Sequence, residues 1–388
     1  MKKLFIAVCW LSGIVLFGQS EKKDFGTITG NFQSDFQYYL RDSLIDPAGE
    51  AFPDERFLGD GFLNLTYVRG NFIAGIRYEY YQNNRVGLPP GYEGQGITYR
   101  YARYIKGLFD ITVGNYYEQF GSGLILRAYE ERGLGLDNNL DGARFIYKTN
   151  DGGLTFKGVI GRQRNYFETS NSIVRGADAE WSLRNSFNWE GTNNLIIGAG
   201  LVSKFQEFDD PELVIPRNVA SGAVRFNFIS NEWNIFGEYA YKANDPSADN
   251  EFIYKPGHAA YFTASYTKGK FGAIVNGKFY DNFSWRSEPA TDPQQLLIGF
   301  LPSATTLHTY ALPALYAYNT VLTGEQGYQV ELSYRLDRNT ALGGRYGTLI
   351  SASFASSYSL QKDYDFRVVD GDTTIRGTDG YTTELGLG

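Results

Sequence analysis

The 388-residue chain contains one cysteine, one methionine and two histidines. Structural zinc, haem attachment and disulfide frameworks all draw on thiolates or imidazoles that are too few here. Excess basic charge is missing as well. Lys and Arg number 36 against 43 for Asp and Glu, a formal charge of -7, so no nucleic-acid partner is expected. Histidine scarcity also weighs against a hydrolase, which needs a base beside its nucleophile or an acidic dyad. His258 shares the parity of Ala260 and Phe262 and is expected at a lipid boundary, and His308 falls in a loop. Asp370-Gly371-Asp372, and Asp137-Asn138-Asn139 with Asp141, lack the spacing of a calcium loop and read as acidic loop tips. No catalytic residue, metal or cofactor is expected. A mean hydropathy of -0.33 excludes a helical membrane protein, though not a membrane barrel, whose strands are only half apolar.

The first residues carry an export signal. Lys2 and Lys3 precede an apolar run from Leu4 to Phe17, closed by Gly18 ahead of Gln19 and Ser20. That run is about 14 residues, shorter than the roughly 20 a helix needs to cross a bilayer. Residues 1–18 are therefore expected to be removed as a signal peptide, leaving residues 19–388 as one domain. Cys9 lies inside the apolar run, so it cannot serve as a lipidated first residue. Loss of Lys2 and Lys3 takes the formal charge from -7 to -9.

Beyond the leader the chain alternates. Ile28, Phe32, Phe36, Tyr38 and Leu40 are apolar, while Thr27, Thr29, Asn31, Gln33, Asp35 and Gln37 are polar. A strand separates those two sets onto opposite faces and a helix does not. The pattern returns around Phe72–Tyr80, Ala177–Arg184, Trp233–Tyr241 and Tyr328–Arg335. Segments of about ten residues suit membrane-barrel strands better than soluble ones, which average about 5 to 6. Short Gly-, Asn- and Asp-rich turns alternate with long polar stretches near 41–57, 82–96, 118–141, 165–176, 206–217, 243–257 and 281–326. Most strands entering a long stretch end in aromatics: Tyr38-Tyr39, Tyr80-Tyr81, Tyr116-Tyr117, Tyr166-Phe167, Phe205 with Phe208, Tyr239 with Tyr241, and Phe279-Tyr280. Rings at that height are expected to form an interfacial girdle.

These features define an all-β, transmembrane, antiparallel up-and-down β-barrel. About 15 strands are countable, the last near Thr340 to Ala352, and Tyr381 to Gly388 begins a sixteenth. Without a terminal aromatic, either the closure of this barrel of about 16 strands is unusual or the chain is a fragment of a longer barrel, and the fragment is the expectation. Parity sends Arg77, Glu79, Arg100, Arg144, Glu180, Arg184, Arg225, Glu238, Glu331 and Arg345 into the lumen, with Lys157, Asp178 and Lys278. Both signs are present, as a passage that sorts solutes by charge requires.

The third long connection, Tyr116 to Gly142, combines Leu124-Ile125-Leu126 with Arg127, Glu130, Glu131, Arg132 and Asp137. Apolar anchors among charges suit a loop that folds into the barrel mouth and constricts it, and equally an extra strand or a surface flap. Residues 281–326 are also too apolar for a solvated loop; capping of the barrel by their own side chains is the default expectation, with plugging it or binding a partner as the alternatives. The run Tyr117-Glu118-Gln119-Phe120-Gly121-Ser122-Gly123, with Arg127, Tyr129-Glu130, Arg132, Asp137-Asn138 and Gly142, resembles an uncharacterised family of exported outer-membrane barrels from Bacteroidota, classed as a domain of unknown function. The resemblance is strongest over about residues 25 to 165. It implies fold and location in a Gram-negative outer membrane, in contact with its lipid, and supplies no activity. The expected function is a porin-like channel for small polar solutes. The alternative is a non-conducting scaffold or receptor that engages envelope proteins through its long loops.

Overall fold

A computed structural model describes residues 25–44, 47–48, 55–83, 88–207, 215–291, 295–306, 318–364 and 381–384. The leader, Phe208, His308 and Asp370-Gly371-Asp372 lie outside them.

Fifteen long strands form one antiparallel sheet in chain order: β1 (Thr27–Tyr38), β2 (Phe57–Arg69), β3 (Phe72–Gln82), β4 (Gly94–Lys106), β5 (Phe109–Tyr116), β6 (Leu140–Lys148), β7 (Leu154–Asn165), β8 (Ile173–Ser182), β9 (Asn194–Phe205), β10 (Asn218–Ile229), β11 (Trp233–Lys242), β12 (Gly257–Lys268), β13 (Phe271–Asp281), β14 (Gly324–Leu336) and β15 (Thr348–Ser359). A two-residue strand, Glu168–Thr169, pairs only with the end of β7. Each strand hydrogen-bonds to its sequence neighbour, which short turns at one end make possible. Gly70, Gly107 and Gly269, at φ +54°, +58° and +59°, supply the left-handed residue in three of those turns.

The faces are inverted relative to a soluble sheet. Ile28, Phe32, Leu65, Ile111, Val113, Ile197, Val224, Phe226 and Phe262 are exposed, whereas Glu79, Asp178, Arg225, Glu238, Lys278 and Glu325 are buried. Outward apolar and inward charged side chains make this a barrel wall of membrane type. β1 and β15 are the sheet edges; among the described residues no pairing joins them. An odd strand count makes the two run in the same direction. Tyr381–Glu384 pairs antiparallel with Gln361–Tyr364 in a separate two-stranded sheet.

Three expected lumen residues are placed elsewhere. β4 meets β3 across a bulge: the register shifts between Arg77 and Tyr78, leaving Thr98 as the extra residue. One extra residue inverts the parity of the remainder of the strand. Arg100 therefore lies opposite the outward Ile76 and pairs with Asp141 at 3.0 Å, with 61% of its side chain exposed. Arg184 leaves the sheet because the chain turns into a one-and-a-half-turn helix, α1 (Leu183–Phe187), capped by Asn188 in the left-handed region at φ 50°. Arg345 is exposed in the turn before β15, which starts at Thr348 and not near Thr340, and its guanidinium lies over the Tyr346 ring.

The aromatic girdle also needs correction. Consecutive strand residues point to opposite faces, so paired rings divide. Tyr239 and Tyr241 alternate with Ala240 and both face outward. Tyr280 is buried, and Tyr81 packs inward against Phe62, Tyr92 and Phe167. Tyr116 is buried, and Tyr117 also lies inside, where it stacks on Tyr99.

Candidate functional site

Residues 117–139, between β5 and β6, fold into the space enclosed by the sheet. Gly121 and Gly123, at φ +55° and +101°, turn the chain inward. A Cβ on Gly121 would also come within 2.6 Å of the Glu238 carboxylate. Leu124, Ile125 and Leu126 are completely or almost completely buried in a cluster with Val174, Val202, Ala223, Ala240 and Ala259, side chains from the inner wall of β8 to β12. The small wall residues leave room for the loop's leucines. Burial stabilises each of these three by about 1.5–3 kcal/mol, which explains an apolar run inside an otherwise polar connection.

The connection after β13 packs onto the same cluster through Phe283, Trp285, Ile298 and Leu301. Arg127 N–H donates to the Ile298 carbonyl at 2.8 Å, and Phe300 N–H donates to the Gly123 carbonyl at 2.9 Å. Ser122 N–H donates to Glu238 at 2.7 Å, tying the loop tip to β11. The two connections thus form one plug, so over its described part the segment 281–326 follows the plugging alternative and not the default cap.

The opposite side of the plug is ionic. Arg77 on β3 reaches Glu79, Glu130 and Asp137 at 2.8, 2.8 and 2.7 Å. Arg164 on β7 reaches Glu79 and Asp137, both at 2.6 Å. Arg132 donates to Glu130 at 2.8 Å and lies over the Phe62 ring. Tyr117 donates to Asp137 at 3.1 Å. Burial, with Asp137 beside it, pushes the Tyr117 phenol far above its ordinary value, so it remains a donor. Oxygens of Glu79, Glu130 and Asp137 lie within 4.8 Å of one another, a spacing a metal ion can use. Three guanidiniums already balance their three charges, so the arrangement is a charge lock between loop and wall.

Toward the short-turn end, β2 to β6 enclose a cavity of about 390 Å³ lined by Asn64, Thr66, Tyr99, Tyr101, Arg103 and Arg144, among others. Arg103 forms a two-pronged pair with Asp110 at 2.8 and 2.6 Å. Arg144 meets Asp110 at 3.1 Å and Glu118 at 3.4 Å, and Lys157 meets Glu118 at 2.8 Å.

Of the expected loop residues, Glu130, Arg132 and Asp137 enter the charge lock. Arg127 instead stacks its guanidinium on Tyr129 and Phe300, and Glu131 is exposed. On the wall, Arg77, Glu79 and Arg144 face inward. Arg225 joins Asp178 at 2.7 Å and Glu180 at 3.0 Å, and Glu238 holds the loop tip. Glu331 shares the inward parity of Gln329 and is half-buried. His258 faces outward with Tyr239, whose hydroxyl lies 2.7 Å from its Nδ1.

Sequence reasoning missed Arg164, which closes the lock. It also missed Lys204, Lys242 and Asp245, a buried trio with contacts of 2.7 and 3.3 Å, in which Lys204 also lies over the Trp285 ring. Lysine at an inward strand position just before a long loop was the available signal.

Fold and site together define an antiparallel barrel wall with an internal two-loop plug. A model of a family of unknown function, DUF6029, matches residues 1–384, and the chain belongs to that family. The match extends well past the segment where the resemblance was strongest. A search of curated protein sequences returned no match. Among solved structures, the chain is similar to the outer membrane protein OprD from Pseudomonas aeruginosa, with TM-score 0.43, 9% identity and coverage of 85% of this chain and 72% of that one. It is also similar to a BenF-like porin from Pseudomonas fluorescens Pf-5, with TM-score 0.36, 10% identity and coverage of 86% and 93%. For opdK from Pseudomonas aeruginosa the values are 0.34, 11%, 85% and 97%.

Proposed function

We propose that this protein is exported by its N-terminal leader and spans the Gram-negative outer membrane as a porin-like channel for small polar solutes, narrowed by the two-loop plug. The observation that carries this reading is the loop 117–139 fixed inside a charged wall: apolar contacts hold it to β8–β12, and the charge lock holds it to β3 and β7. A loop held at both sides sets the width and charge of whatever passage remains. Outward Ile, Val, Leu and Phe side chains would face hydrocarbon, with short turns periplasmic and long loops outside.

Planar-bilayer recording of the purified full-length protein tests this directly. Discrete conductance steps are expected, larger in a Leu124→Ser, Ile125→Ser variant whose plug no longer docks. Silence from both proteins would overturn the channel. A second reading, a non-conducting scaffold or receptor in an envelope assembly, is favoured by the complete burial of Leu124 and Ile125 inside the sheet. Silence together with a stoichiometric co-purifying partner would support it.

A further inference from the structure

We propose that the compartment between β2 and β6 binds a small organic anion, a carboxylate carried on a planar apolar body. The inference deepens the channel reading by naming a solute class for the same lumen, and it rests on that reading for its physiological role.

The lining decides the sign of the ligand. Among the described residues no carboxylate lines the cavity, which presents Arg77, Arg103 and Arg144 beside Tyr99, Tyr101 and Tyr117. Arg77 is committed to the neutral charge lock. In the second network, Arg103, Arg144 and Lys157 meet Asp110 and Glu118, and Asp178 stands opposite Lys157 on β8, so the positive groups nearest the cavity are Arg103 and Arg144. Donors remain available as well. Arg144 Nε is buried without a hydrogen-bond partner, and among the described residues the Tyr99 and Tyr101 hydroxyls have none. A buried donor without an acceptor is costly, and a carboxylate oxygen supplies that acceptor in charge-assisted form.

Ligand shape comes from the rings. Tyr99 stacks on Tyr117 with centroids 5.3 Å apart and planes 18° apart. Tyr101 covers Gly75, where a Cβ would come within 2.3 Å of its ring, so the wall there is aromatic surface. About 390 Å³ falls within the range of small-molecule pockets. Flat rings beside guanidinium and phenol donors suit a flat anion better than a sugar or a peptide.

Isothermal titration calorimetry of the detergent-solubilised full-length protein with benzoate, acetate and benzylammonium tests the assignment. Benzoate is expected to bind more tightly than acetate, and benzylammonium not at all. Arg144→Gln should weaken benzoate about tenfold or more, and Tyr101→Phe several-fold. Should Arg144→Gln fail to fold, Tyr101→Phe decides, because it removes one oxygen and leaves the ring. Equal binding of benzoate and benzylammonium, or wild-type affinity in folded variants, would overturn the site. Benzoate binding to a protein that is silent in bilayers would remove the channel reading and leave the site standing. Conductance with no benzoate heat would remove the site alone.

Discussion

The indole N–H of Trp285 donates to the backbone carbonyl of Ile125 at 3.0 Å, across 160 positions of sequence. Both residues are buried, and each belongs to a connection that the chain could have left outside the sheet. Their contact makes two loops one plug. Trp285→Phe keeps the ring and orphans the Ile125 carbonyl, a loss of about 1–3 kcal/mol. The variant should melt at lower temperature by tryptophan fluorescence and be cleaved faster within residues 117–139; unchanged cleavage would show that the indole bond does not hold the plug.

The charge lock should be far more sensitive than an exposed pair. Arg164→Gln leaves the buried Glu79 and Asp137 short of one guanidinium, with an expected loss of roughly 3–5 kcal/mol. Lys268→Gln breaks an exposed pair with Glu232 at the short-turn end and should leave the melt close to that of the wild type, because solvent screens such a pair. Denaturant melts of the two variants compare them, and equal losses would contradict a buried lock.

Face assignment has an electrical consequence. Arg100 points outward, so Arg100→Gln should leave single-channel conductance and reversal potential unchanged. Glu331 points inward, and Glu331→Gln should shift the reversal potential toward anions. A shift with Arg100→Gln and none with Glu331→Gln would reverse the assignment.

The turn between β6 and β7 carries a pH signature. The Asp151 carboxylate accepts from Thr149 Oγ1 and from Gly153 N–H, and these bonds hold its pKa below the usual carboxylate value. A depressed folded pKa contributes stability above the unfolded value, and that contribution is lost as pH falls through the folded one. Amide exchange at Gly153 should therefore remain slow above the ordinary Asp range, accelerate in more acidic solution, and be fast at every pH in Asp151→Ala.

The alternation of Ile28, Phe32 and Phe36 with Gln33 and Asp35, repeated along the chain between short and long connections, was enough to determine strand type, strand count and which face of most strands is apolar. Those properties are local, because a period of two and the chemistry of a turn are set by neighbours in the chain. Leu124-Ile125-Leu126 marked the loop that would turn inward for the same reason. What tertiary structure decided was whatever depends on a partner far away in sequence. The bulge at Thr98, which turns Arg100 outward, exists only in the pairing of β4 with β3. Arg164 gains its role when β7 brings it to Glu79, 85 positions distant. Trp285 finds Ile125 only after the sheet has curled and both connections have entered the space it encloses, since apolar side chains with no solvent-free place of their own bury against each other.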